Sequence, residues 1–204
     1  MTEKTVQYWY DLSSPYAYLA NEEVSLVAKR HGAIVSWCPF FLGGLFKALR
    51  GDIVPFNSGS ANKQTILRRD MQRWAQSRGI DFNWPTIFPM MTIRPMRVLV
   101  QLHGEAHAAL ARDLFKQYWV LDQNIGDATV LRGILAAHGL DAEALMAAAE
   151  TPEVKQKLVD ATDLALQKGL CGAPTFIVDD LLFWGQDRLD FVGRALDGWK
   201  PHGG

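Results

Sequence analysis

Asp11-Leu12-Ser13-Ser14-Pro15-Tyr16-Ala17 joins a run of β-formers, Val6-Gln7-Tyr8-Trp9-Tyr10, to an apolar pattern through Tyr18, Leu19, Val24, Leu26 and Val27 with helical spacing. The stretch reads as the end of a first strand and the start of a first helix. Ser14 suits the N-cap. Pro15 suits the first helical position, because its φ is already near the helical value and its missing N–H has no intrahelical partner to lose. A hydroxyl there lies among free backbone N–H groups at the positive end of the helix dipole, a setting that favours a bound anion such as a thiolate. The same Ser-Pro pair also caps helices that do no chemistry.

Working outward, Gly32 breaks the helix and residues 34–40 resume as a second strand ended near Pro39, giving a parallel β-α-β opening. Gly43, Gly44, Gly51, Pro55 and Gly59 favour a loop from Phe41 to about Asn62, with a short helical turn near residues 45–49. The spacing of Ile66, Leu67, Met71, Trp74 and Ala75 predicts a helix over 63–77, stopped by Gly79. Pro85, Pro89 and Pro95 divide the next stretch, after which 96–102, 106–121 and 129–137 read as helices. Asp141 can cap a short helix through Ala149, and Thr151-Pro152-Glu153 begins another that runs to about Lys168. In the tail a strand starts directly after Pro174, Asp179-Asp180 turns it into Leu181-Leu182-Phe183-Trp184, and a final helix runs from near Asp187 to Leu196. A cis bond before Pro174 would leave the Ala173 backbone N–H and C=O free for an extended ligand.

With 204 residues and 49% hydrophobic composition, the chain suits one domain, or one domain carrying an insertion. Lys and Arg number 21 against 22 Asp and Glu, so a net charge of −1 gives no general attraction to nucleic acid or anionic membrane. No apolar run reaches membrane-span length, and Met1-Thr2-Glu3-Lys4 lacks the apolar segment of a secretory signal, so a cytoplasmic location is expected. Cys38 and Cys171 form no C-x-x-C and read as ordinary reduced residues. His103 and His107, four apart on a helix, could share a metal, but no third ligand accompanies them and surface imidazoles are the simpler reading. Gly43-Gly44-Leu45-Phe46-Lys47 lacks P-loop spacing, so nucleotide binding has no support.

Asp11-Leu12-Ser13-Ser14-Pro15-Tyr16, Gly172-Ala173-Pro174-Thr175 and Trp184-Gly185-Gln186-Asp187-Arg188-Leu189, in this order, resemble the 2-hydroxychromene-2-carboxylate isomerases and the related kappa-class glutathione transferases. Arg69-Asp70-Met71-Gln72-Arg73-Trp74-Ala75 is similar to a helix of the isomerase branch. The resemblance implies an α/β, thioredoxin-like fold of the DsbA type with a large all-α insertion: residues 1–40 and 151–204 form the thioredoxin-like part and 41–150 the helical insertion. DsbA-like oxidoreductases carry a C-x-x-C at this helix start, where Ser14 and Ala17 stand here, so disulfide exchange is disfavoured. In the glutathione-using relatives the cofactor supplies the sulfur. Ser14 is then the catalytic residue that favours the thiolate, Ala173 pairs its backbone with the cysteinyl part, and Gln186 and Asp187, with Trp184 and Gly185, hold the γ-glutamyl end. The implied reaction opens 2-hydroxychromene-2-carboxylate to trans-o-hydroxybenzylidenepyruvate, with Lys47, Asn57 and Ser58 as substrate contacts and Lys63, Arg94 and Arg97 in reserve. Tyr16, Phe40 and Phe41 are candidate walls for the aromatic ring. A homodimer is implied as well. A kappa-like transferase and a noncatalytic module gripping an extended peptide at the Pro174 loop remain alternatives.

Overall fold

The computed structural model describes residues 3–50 and 60–201. Strand β1 (Lys4–Tyr10) leads into α1 (Pro15–Arg30) and the parallel β2 (Ala33–Pro39). Helices α2 (Leu42–Arg50), α3 (Ala61–Arg78), α4 (Ile93–Leu99), α5 (Gly104–Trp119), α6 (Ala128–Ala137) and α7 (Ala142–Ala148) follow. Then α8 (Pro152–Gln167) returns the chain to the hairpin β3 (Thr175–Val178) and β4 (Leu181–Trp184), a 3₁₀ turn (Gln186–Arg188) and α9 (Leu189–Leu196). The strand order is β2-β1-β3-β4, with β3 antiparallel to β1. This is the thioredoxin-like α/β fold with a helical insertion.

Alternation along the strands gives the sheet two dry faces. Val6, Tyr8 and Tyr10 of β1, with Phe176 and Val178 of β3, enter the main core beneath α1, α5 and α9. Trp9 and Ile177 point the other way, into a smaller core closed by Leu42 and Leu45 of α2 and Ala165 of α8. Phe40 belongs to that second core and is fully buried, so it is packing and not a ligand wall. Ring contacts continue the main core into the insertion, where Trp119 packs against Tyr18, Phe82, Trp84, Phe88 and Tyr118.

Where the structure departs from sequence expectation, tertiary contacts explain the difference. The segment expected as a loop with one turn near 45–49 is the full helix α2. Its start is capped from a distance, by the Asp11 carboxylate on Leu42 N–H (2.8 Å) and the Thr162 hydroxyl on Phe41 N–H (3.0 Å). At Gly44 a Cβ would come 3.1 Å from the Phe41 ring, so the glycine serves close packing. Helix α4 begins three residues earlier than expected, because Pro95 occupies its first turn, where an N–H has no helical acceptor. His107 is no surface imidazole: it is 4% exposed. Its Nδ1 lies 3.0 Å from the Leu99 carbonyl and must donate, which leaves Nε2 to accept from the Tyr10 hydroxyl at 2.8 Å. Both nitrogens are thereby committed within the protein. Among the described residues no helix is long and apolar enough to cross a membrane.

Burial holds the His107 pKa below the ordinary 6.5, outweighing the carbonyls that favour the cation. As pH falls, the unfolded chain therefore takes the proton first. The stability that neutral His107 contributes is complete above about pH 6.5 and is lost as pH falls through the folded-state value. Denaturant titrations at pH 5 to 8 should show this loss, and His107→Gln, which offers a neutral donor and acceptor, should flatten it. An equal slope in the variant would assign the pH dependence to other groups.

Candidate active site

Ser14 sits at the tip of α1 with extended backbone (φ −88°, ψ 115°), the conformation of an N-cap. Its Oγ accepts from Ala17 N–H at 3.2 Å and donates to the Ala173 carbonyl at 2.9 Å. The serine is only 3% exposed. One hydroxyl therefore both caps α1 and ties it to the loop before β3, across 159 positions of sequence.

That loop carries a cis Ala173–Pro174 bond and is closed by Thr175 Oγ1 donating to the Gly172 carbonyl at 2.8 Å. Gly185 N–H donates to the Pro174 carbonyl at 3.0 Å, which brings the 3₁₀ turn alongside. Two glycines allow the close approaches. A Cβ on Gly172 would lie 2.7 Å from Trp184 Nε1, so its absence lets the half-exposed indole rest on the loop. Gly185 has φ +114°, and a Cβ there would meet Asp187 Oδ1 at 2.6 Å. Ser14, Ala173, Trp184, Gly185, Gln186 and Asp187 thus belong to one connected cluster. Within it the Gln186 side chain is buried with Oε1 unpartnered, and the Asp187 carboxylate, partly exposed, meets Arg188 at 3.3 Å.

Asp11, absent from the sequence candidates, lies immediately beneath. Its carboxylate is fully buried, with Oδ1 accepting from Ser13 N–H (2.9 Å), Ser13 Oγ (3.0 Å) and Thr92 Oγ1 (2.7 Å), and Oδ2 from Leu42 N–H (2.8 Å). Burial raises its pKa, and these donors pull it back. The Asp-x-Ser spacing could have signalled the local turn, but the bonds to Leu42 and Thr92 have no local signature. Arg78 was missed for the same reason: from the end of α3 it donates to the carbonyls of Leu19 (2.7 Å) and Gln186 (3.0 Å).

The proposed substrate side is less concentrated. Tyr16 and Phe41 are half-buried against the main core and remain available as walls. Burial, then the fields of Asp70 and Asp187, raise the Tyr16 pKa. Lys47 is exposed on α2, whereas Asn57 and Ser58 lie outside the described residues. Arg94 and Arg97 face Glu150 (3.8 and 3.4 Å) in an open crevice of about 650 Å³ shared with Ile87 and Met91, and Arg94 also donates to the Gly126 carbonyl at 2.7 Å. They are therefore charge-paired. Burial pushes the Cys38 thiol up to about 11, which keeps it protonated near neutrality.

The DSBA-like thioredoxin domain family matches residues 5–197. A 2-hydroxychromene-2-carboxylate isomerase of Sphingobium xenophagum is 29% identical over 193 residues, spanning 95% of this chain and 98% of its own. Glutathione S-transferase kappa 2 of Caenorhabditis elegans is 26% identical over 218 residues, spanning 96% and 94%. The solved structure of a 2-hydroxychromene-2-carboxylate isomerase aligns at a TM-score of 0.85, with 25% identity over 95% of each chain.

Asp11→Asn would turn an amide NH₂ toward either Leu42 N–H or the Ser13 and Thr92 donors. It should cost about 2–4 kcal/mol in denaturant unfolding, against about 1 kcal/mol for Thr92→Val. Equal costs for the two would deny Asp11 its central place. Gly172→Ala should displace the Trp184 ring, visible as altered near-ultraviolet circular dichroism with the far-ultraviolet spectrum retained; an unchanged near-ultraviolet spectrum would mean that the loop absorbs the methyl group.

Proposed function

The chain belongs to the DSBA-like thioredoxin domain family, and from that premise we propose that it is a glutathione-dependent isomerase acting on 2-hydroxychromene-2-carboxylate or a similar aromatic carboxylate. The observation that carries this reading is the Ser14 hydroxyl bridging Ala17 N–H and the Ala173 carbonyl, at a helix tip with no thiol of its own. Similarity to the isomerases supports the choice of reaction.

The residues present fit glutathione. The buried, unpartnered Gln186 Oε1 and the Asp187 carboxylate offer acceptors for the γ-glutamyl ammonium group. The Ala173 carbonyl, with a second lone pair, can take a peptide N–H. When bound, glutathione supplies a thiolate whose reversible addition to the ring-opened keto acid lets a double bond change geometry without net consumption. The protein's part is to aim one hydroxyl hydrogen, which stays on Ser14 Oγ throughout. Ala17 N–H pins the Ser14 oxygen, while the hydroxyl hydrogen can turn between the Ala173 carbonyl and an anion at the tip. A ligand N–H that engages Ala173 weakens that carbonyl's claim on the serine and so favours the anion. Tyr16 and Phe41 would flank the ring, and Lys47, with Asn57 and Ser58, would meet the substrate carboxylate. We place this activity in the cytoplasm and in a homodimer. Similarity to kappa-class transferases favours a second reading, conjugation of electrophiles with glutathione.

Incubation with glutathione and the chromene, following absorbance and free thiol together, tests the proposal. Turnover at constant thiol supports isomerisation, thiol loss supports transfer, and no turnover with either chromene or electrophile overturns both. Ser14→Ala should stay folded, losing about 1 kcal/mol with its cap, and should turn over roughly 10²-fold more slowly with the lost donor. Wild-type turnover would remove Ser14 from the mechanism. Asp187→Asn should weaken glutathione binding about tenfold; an unchanged dissociation constant by calorimetry would count against its role.

A further inference from the structure

We propose that Arg78 is a positioning residue for the turn over residues 185–187 and, through that turn, sets the affinity for glutathione; the second half of this assignment rests on the glutathione reading. Arg78 is the last residue of α3, fixed there by the left-handed Gly79 (φ +66°) that ends the helix. Its guanidinium spans two elements: Nη1 donates to the Leu19 carbonyl of α1 at 2.7 Å and Nη2 to the Gln186 carbonyl at 3.0 Å. The cation lies 4.8 Å from the centre of the Trp74 ring, one helical turn back, which restricts its rotamer. Glu23 and Asp187 both act on it electrostatically.

The turn needs such an anchor. Gly185, at φ +114°, occupies a conformation that glycine reaches easily and also leaves easily. The Gly185 N–H is held to the Pro174 carbonyl, and the Gly185 carbonyl accepts from Arg188 N–H at 3.1 Å. Those bonds fix the residues on either side of Gln186, whereas the Gln186 carbonyl is held from outside the turn, by α3. Gln186 Oε1 and Asp187 flank that carbonyl, so releasing it frees both acceptors proposed for the γ-glutamyl end. A lysine cannot replace the arginine: one ammonium on a flexible stem does not bridge two fixed carbonyls as a planar fork does. The expected signature is weakened ligand binding with the chemical step intact.

Hydrogen exchange by mass spectrometry, glutathione calorimetry and steady-state kinetics on Arg78→Lys and Arg78→Ala test the assignment. Amides of residues 185–188 should exchange about tenfold faster in both variants, with β3 and α9 unaltered. The glutathione dissociation constant and KM should rise about tenfold, while kcat at saturating glutathione and KM for the aromatic substrate stay within about twofold. Unchanged exchange at 185–188 overturns the proposal, as does faster exchange with unaltered glutathione affinity, or a loss of kcat equal to the rise in KM. Should Arg78→Ala fail to fold, Arg78→Lys, which keeps the charge and the aliphatic stem, decides alone. If the unaltered protein binds no glutathione, the functional reading fails, and the exchange measurement still decides whether Arg78 holds the turn.

Discussion

A carboxylate sealed from water organises this molecule. Removing an ion such as Asp11 from solvent costs several kcal/mol even after relaxation. Four donors, each contributing about 1.5–3 kcal/mol to a charged acceptor, recover an amount of the same order. Burial pushes the Asp11 pKa above the ordinary carboxylate value, against the pull of these donors. What the arrangement secures is geometry. The donors come from the turn after β1, the start of α2 and the residue preceding α4, so one side chain sets the spacing between the sheet and two inserted helices. Removing any one donor leaves the others crowded around a charge that water cannot reach.

The candidate site lies where that organisation ends, at the junction of parts distant in sequence. Ser14 reaches the Pro174 loop, Gly185 reaches the same loop from the hairpin, and Arg78 reaches the tail from the insertion. None of these contacts is long, and each uses a main-chain carbonyl as acceptor, which makes them insensitive to the side chain at the accepting position. The near-zero net charge fits this design. A chain so nearly neutral sets up no diffuse field, so the proposed recognition would depend on a few aimed groups.

Local chemistry was legible in the sequence wherever it was sufficient. The Ser14-Pro15 and Thr151-Pro152 starts, the Gly79 stop and the Asp179-Asp180 hairpin all appear where residue preference alone places them, because each is decided within a few residues. Helix α2 was hidden because two glycines argue against it, while its support comes from Asp11 and Thr162, 31 and 121 positions away. His107 looked like half of a surface pair until Tyr10, 97 positions earlier, took its second nitrogen. Phe40 could have lined a crevice or filled a core; the pleat of the sheet chose the core. The resemblance singled out the Ser14, Pro174 and Gln186 segments, yet it gave no part to Asp11, which opens the first of them, or to Arg78, which lies outside them all, because the parts of both are defined by distant partners and not by motif.

The aromatic packing around Trp119 carries a spectroscopic consequence. This indole is fully buried, and its Nε1 donates at 2.9 Å to the carbonyl of Leu12, two residues before Ser14. Its emission should be blue-shifted and tied to the carbonyl orientation at the start of the helix tip, whereas the half-exposed Trp184 emits beside the opposite loop. Of the chain's seven tryptophans these two thus flank the Ser14–Ala173 contact, one reporting from the core beneath the helix tip and the other from the surface of the loop it meets.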